Sequence, residues 1–191
     1  MPTAAAPRYY CDAAEHFIGS RGAEADPVYA GSRGAPGRID GPRRKARFHG
    51  PRALTEGGAS LLFVADTGNG AVRSIDTRAG VVNTVITLAD ICAIAHVQEF
   101  TPSGVTCDGE WLVIADTRNH VVWSYDLRSY RLALLAGSPG SHGDVDGAGE
   151  RARFWLPVAV ALADDGRGFV VSEARGRRHV SRNGDVRTLD R

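Results

Sequence analysis

Ala30-Gly31-Ser32, Asp40-Gly41, Ala46-Arg47-Phe48 and Pro51 return as Ala136-Gly137-Ser138, Asp146-Gly147, Ala152-Arg153-Phe154 and Pro157. Every match holds the same offset of 106 residues without a gap. A second echo lies between them. Ala65-Asp66-Thr67-Gly68-Asn69 returns as Ala115-Asp116-Thr117-Arg118-Asn119, at an offset of 50. The chain is therefore built from a unit of about 50 residues used about three times. Such a unit buries its apolar face only by stacking on its neighbours.

The unit reads as strands. Leu61 to Ala65 is an apolar run that stops at the turn residues Asp66 to Gly70. Ala71 to Asp76 then alternates apolar and polar with period two, and after Thr77-Arg78-Ala79-Gly80 a β-rich run follows to Leu88. Strand, turn, strand, turn, strand is an antiparallel meander. The second unit repeats it over Trp111–Ala115, Val121–Tyr125 and Arg131–Leu135, and the third over Phe169–Val171 and Val186–Leu189, with Glu173 to Arg178 as its turn. A short segment after a proline precedes each meander (Ala53–Thr55, Gly104–Thr106, Val158–Leu162), making four strands per unit. Leu88 to Phe100 replaces the Gly-rich Asp-Gly loop of the other units and is expected to be a short helix or an irregular excursion.

The repeated polar residues have local work to do. Asp66 and Asp116, each ending an apolar strand, are expected to accept backbone N–H groups from the turn they open. Asn69 and Asn119 suit the left-handed conformation of a tight hairpin. Asp40 and Asp146 open further turns. Phe48 and Phe154 would anchor their loops on the core, and Pro51 and Pro157 would start the innermost strand.

At 191 residues and 43% hydrophobic, the chain is long enough for a domain with a core. It holds no run of 18 apolar residues, so no membrane partner is expected, and Met1 to Pro7 does not read as a signal peptide. The net charge of +1 gives no global pull toward nucleic acid. Lys45 is the only lysine beside 22 arginines. Cys11, Cys92 and Cys107 form no C-x-x-C pair, which makes a reducing, cytoplasmic compartment the default.

Ala-Gly-Ser, a Gly-rich loop, Asp-Gly, Ala-x-Phe, Pro and then Phe-Val-Ala-Asp-Thr-Gly-Asn resembles the NHL repeat of β-propeller proteins. Asn119-His120-Val121 carries the eponymous triplet; the third unit departs from it, with Glu173 for Asp and Gly176-Arg177-Arg178 for the Asn-His pair. The resemblance covers roughly residues 28–190. It implies an all-β fold, a partial or half propeller of about three four-stranded blades at about 46–88, 101–137 and 152–190, behind an N-terminal extension, residues 1–27, that is partly irregular. Val28 to Gly31 reads as the tail of an outer strand from an earlier blade. Three blades do not close a ring and would leave apolar end faces. A homodimer completing a six-bladed ring, or further blades in a longer chain, would resolve this.

The family resemblance implies a protein-binding scaffold, and it includes RNA binders and lyases that hold a metal with histidines. His16, His49, His96, His120, His142 and His179 are scattered and show no metal spacing. The expected channel strands hold none. There is no G-x-S-x-G, and Cys107 beside Asp108 reads as a small buried residue. No catalytic residue, cofactor or metal is expected. Arg38, Arg43, Arg44, Lys45, Arg47 and Arg52 stand against Asp40 alone, a local charge of six minus one, or +5. This patch is the candidate for RNA or an acidic protein partner. A second cluster, Arg175, Arg177 and Arg178, falls in the expected third turn.

Overall fold

The repeat resolves into four antiparallel sheets in a computed structural model that describes residues 8–22, 27–58 and 60–190. The signal-peptide reading of Met1 to Pro7 lies outside the described residues. The first sheet has three strands, β1 (Arg8–Asp12), β2 (Phe17–Arg21) and β3 (Val28–Gly31). Two of its strands lie in the stretch read as an extension, ahead of the expected tail strand β3.

Three four-stranded meanders follow. A two-residue strand, β4 (Gly41–Pro42), precedes the first, which runs β5 (Ala53–Glu56), β6 (Leu61–Asp66), β7 (Ala71–Asp76) and β8 (Val81–Thr87). The excursion begins with a one-turn helix, α1 (Leu88–Cys92). The second blade is β9 (Pro102–Cys107), β10 (Trp111–Asp116), β11 (Val121–Asp126) and β12 (Leu132–Gly137). Another two-residue strand, β13 (Gly147–Ala148), precedes the third blade, β14 (Ala159–Leu162), β15 (Gly168–Glu173), β16 (Gly176–Ser181) and β17 (Asp185–Asp190). β4 pairs with β8 and β13 with β17, so each Asp-Gly loop adds a fifth strand at the outer edge of its blade. The second blade, whose loop is replaced, has four.

Successive side chains of a strand point to opposite faces, and each central strand uses both. Leu62 and Val64 face back to Ile18 and Ala30 of the first sheet, with Phe48 wedged between. Phe63 and Ala65 face forward to Leu112, Ile114 and Trp123 of the second blade. Val113 and Ala115 meet Phe169, Val171 and Phe154 of the third. Burial on both faces is why these strands read as continuous apolar runs rather than alternating ones. Ile91 of α1 and Phe100 fill the second junction, where the other two carry Phe48 and Phe154.

The last blade differs from the others at one position of the face that turns outward. Val72 pairs with Ile86, and Val122 with Ala136, at the position of each blade that faces its successor. In the third blade the same position holds Arg177 opposite Asp190, joined by an ion pair. Among the described residues, Val158, Ala159, Ala161, Leu162 and Leu189 are exposed and leave that blade's surface partly apolar.

Candidate functional site

The hairpin between the second and third strands of each blade is organised by one buried carboxylate. Asp66 accepts the His49 N–H at 2.8 Å, Asp116 the Thr101 N–H at 3.1 Å and Glu173 the Trp155 N–H at 2.7 Å. Each donor belongs to the segment leading into the same blade's innermost strand, so the carboxylate ties the blade's entry to its centre. The other carboxylate oxygens take side chains: Asn69 and Arg73 on Asp66, Asn119 and Trp123 on Asp116, and Arg178 on Glu173.

Asn69 and Asn119 are not the left-handed residues. Positive φ falls one residue later, at Gly70 (55°) and His120 (60°). Each asparagine instead spans two groups with its amide, donating to its aspartate and to the carbonyl of Gly37 or Glu99 at 2.7 Å. A side chain with two N–H donors gains more from that pair of acceptors than from a strained backbone.

Arg73 and Arg178 are a matched pair. Arg73 is fully buried and donates to Asp66, to the Arg47 and Ile39 carbonyls and to Asp40. Arg178 donates to Glu173, to the Arg153 carbonyl and to Asp146. Each guanidinium lies over the anchoring ring of its loop, Phe48 at 5.1 Å and Phe154 at 5.5 Å. Asp40 and Asp146 also accept from Thr84 and Thr188 of the outer strand. Arg178 thus lies in a strand and is used internally. The third turn is only Ala174-Arg175, and the expected second basic cluster is dispersed. Sequence reasoning missed this clamp because its members are up to 34 residues apart.

The blade-end turns also tie neighbouring units. His16 (φ 62°) and His120 (φ 60°) occupy the same turn position in the first sheet and the second blade. His16 Nδ1 accepts the Gly50 N–H at 3.0 Å, and His120 Nδ1 accepts the Leu156 N–H at 3.1 Å. Gly50 and Leu156, 106 residues apart, are both left-handed, with φ of 56° and 54°. The scattered histidines are thereby drawn into pairs, His16 with His49 at 5.3 Å and His120 with His142 at 5.4 Å between ring centroids. Trp155 packs edge-on to His142 at 4.3 Å, and Arg175 lies 4.1 Å over the Trp155 ring. His96 is exposed in the excursion and His179 is buried on β16. Burial, and then the His142 ring, hold His120 below the ordinary imidazole range.

The basic cluster is spread along its blade. Arg43 lies over the Tyr29 ring at 4.5 Å, and its N–H reaches Gly80 at the β7–β8 turn. Arg52 lies beside Thr67 and Gly68, at the other end of β7. A six-residue strand separates those ends by about 20 Å. Arg47 folds onto the Lys45 and Ala46 carbonyls. Arg38, Arg44 and Lys45 are exposed.

Burial, aided by the Asp66 charge, pushes the Cys11 thiol up to about 12. Burial and the neighbouring Asp108 also raise the Cys107 thiol. Neither is a ready nucleophile at neutral pH. Among the described residues, no three histidine, cysteine or carboxylate side chains converge to hold a metal, and no helix is long and apolar enough to cross a membrane.

No family model matches the chain. It is similar to NHL repeat-containing protein 2 of Bos taurus, at 25% identity over 180 residues, covering 85% of this chain and 24% of that protein. The chain thus spans about a quarter of that relative. Among solved structures, a nidogen/laminin complex matches with a TM-score of 0.64 and 12% identity, over 96% of this chain and 60% of the other. Virginiamycin B lyase from Staphylococcus aureus matches at 0.61 and 13%, over 97% and 52%. An auxiliary nutrient binding protein from Bacteroides ovatus matches at 0.60 and 17%, over 75% and 36%. At these identities the structures share the fold.

Proposed function

We propose that this chain, with its propeller blades and its similarity to an NHL repeat-containing protein, is a non-catalytic scaffold binding a protein partner at the blade-end surface between its second and third blades. One observation carries the reading. Leu156 is 37% exposed and left-handed at a position where the equivalent unit uses Gly50. A left-handed non-glycine residue costs about 1–2 kcal/mol. Strain of that kind gathers at functional sites, and here it presents a leucine beside the Trp155–Arg175 stack. Tryptophan and arginine are the residues that dominate protein-binding hot spots. The nidogen match, a structure of a complex with laminin, is consistent with this class of partner. The buried carboxylates support a non-catalytic role, since the donors around them engage both oxygens.

The test compares immobilised wild-type chain with Trp155→Ala and Arg175→Glu variants, using proteins identified by cross-linking. A protein held by the wild type and lost from both variants supports the reading; equal retention would sink it. RNA binding through Arg43, Arg44, Lys45 and Arg47 ranks second, because Arg43 and Arg47 are occupied within the fold. It would show as salt-sensitive affinity lost on charge reversal at Arg44 and Lys45.

A further inference from the structure

The first and third junctions are built from the same repeat positions but filled by different residues. At the third, Trp155 and Arg175 stack and Leu156 and Val158 flank them. The counterparts at the first junction are His49 for Trp155, Gly50 for Leu156 and Arg52 for Val158, and Gly68 donates to the His49 carbonyl as Ala174 does to that of Trp155. Removing that bulk leaves a cleft of about 300 Å³ between the first sheet and the first blade, lined by His16, His49, Gly50, Arg52, Thr67 and Gly68. Gly68 lets its turn pack against His49, since a Cβ there would stand 2.5 Å from the His49 carbonyl oxygen and 2.8 Å from its ring.

The lining has one chemical sense. His16 Nδ1 is an acceptor for Gly50, which places the proton of the neutral ring on Nε2, a donor. The His49 ring stands edge-on to it at 5.3 Å, and the His49 main-chain N–H is already spent on Asp66. Among the described residues no carboxylate pairs with Arg52, so its guanidinium is available at the rim. Of the carboxylates in the adjoining turns, Glu15 lies toward Gly34 and does not line the cleft, and two others are held by other groups. Asp12 accepts the Glu15 N–H, and Asp66 is held by Asn69, His49 and Arg73. Two imidazoles and one guanidinium in a glycine-walled cleft match the charge and the acceptor geometry of an oxyanion.

We propose that this cleft is a binding site for the oxyanion group of a small molecule, a phosphate or a carboxylate. The site is separate from the protein-binding surface and does not depend on it. The substitutions that test it are supplied by the repeat itself: His49→Trp, Gly50→Leu and Arg52→Val each install the residue the third unit carries at that position. Imidazole NMR resonances of the full chain are followed during titration with sodium phosphate and, separately, sodium acetate at constant ionic strength. We expect saturable shifts of His16 and His49 at millimolar anion, weakened at least about tenfold by each variant. Tighter binding of phosphate assigns a phosphate ligand; equal or tighter binding of acetate assigns a carboxylate. No shift with either anion overturns the proposal. Binding unchanged in all folded variants overturns it too, by reducing the effect to adventitious surface charge. The three variants alter separate atoms, so misfolding of one leaves the others to decide.

Discussion

The Nδ1 atom of His120 accepts the N–H of Leu156 at 3.1 Å, across the junction between the second and third blades. Only an imidazole with Nδ1 unprotonated does this. The bond therefore couples the protonation of one blade's turn to the entry geometry of the next.

The sign of the pH dependence follows. His120 is held below its ordinary value of 6.5 in the folded chain, by burial and by His142. Around pH 6 the unfolded chain then binds more protons than the native one, so stability rises with pH. The contribution is complete above the unfolded value and is lost as pH falls through the depressed one. We expect the melting temperature to drop between pH 7 and pH 5, and His142→Ala to flatten that drop. A melting series at fixed ionic strength checks it.

Replacing Leu156 by glycine should stabilise the chain. Glycine adopts φ near 54° without steric cost, so relief of about 1 kcal/mol is expected, less the extra freedom glycine gains when unfolded. The same variant should lose partner capture. Urea unfolding and the capture assay together test whether stability and binding oppose each other here.

Arg73 is fully buried with Asp66. Arg73→Met strands a buried carboxylate and two carbonyls, and should cost about 3–5 kcal/mol. Pairing it with Asp66→Asn should recover part of that loss. Hydrogen exchange should quicken from Gly37 to Phe48, the loop the guanidinium holds. A cost under about 1 kcal/mol, the scale of a surface pair, would contradict the clamp.

Asp40 supplies an acid limb. Partial burial pushes its carboxyl upward, but the Thr84 N–H and the Arg73 guanidinium outweigh this and hold it below the usual range. Its contribution is present above the ordinary value of 3.8 and is lost as pH falls through the lowered one. Asp40→Asn should make stability less sensitive to acid, as read by denaturation midpoints between pH 5 and pH 2.

In the second blade Trp123 stands where the others have arginine, because the excursion supplies no counterpart of Asp40. Burial pushes the Asp116 carboxyl upward, with only neutral donors opposing it. Trp123→Phe removes the 3.0 Å indole bond to Asp116 while keeping an aromatic ring, and should cost about 1–2 kcal/mol in equilibrium unfolding.

The meanders, the position of their turns and an excursion near Leu88, read as a short helix or an irregular stretch, were legible in the chain, because apolar periodicity and turn chemistry act over a few residues. The first sheet was harder to see. Its turn, Asp12-Ala13-Ala14-Glu15-His16, keeps the aspartate and the histidine of Asp116-Thr117-Arg118-Asn119-His120 but loses the threonine and the asparagine. The shared spacing of Asp and His was the one signal available. Tertiary structure alone decided that Arg73 closes on Asp40, that His16 meets His49, and that Trp155 meets Arg175 at one junction while its counterpart forms a cleft. Those outcomes depend on which strand ends the stacking of blades brings together, and no preference of a residue for its own neighbours in the chain encodes that.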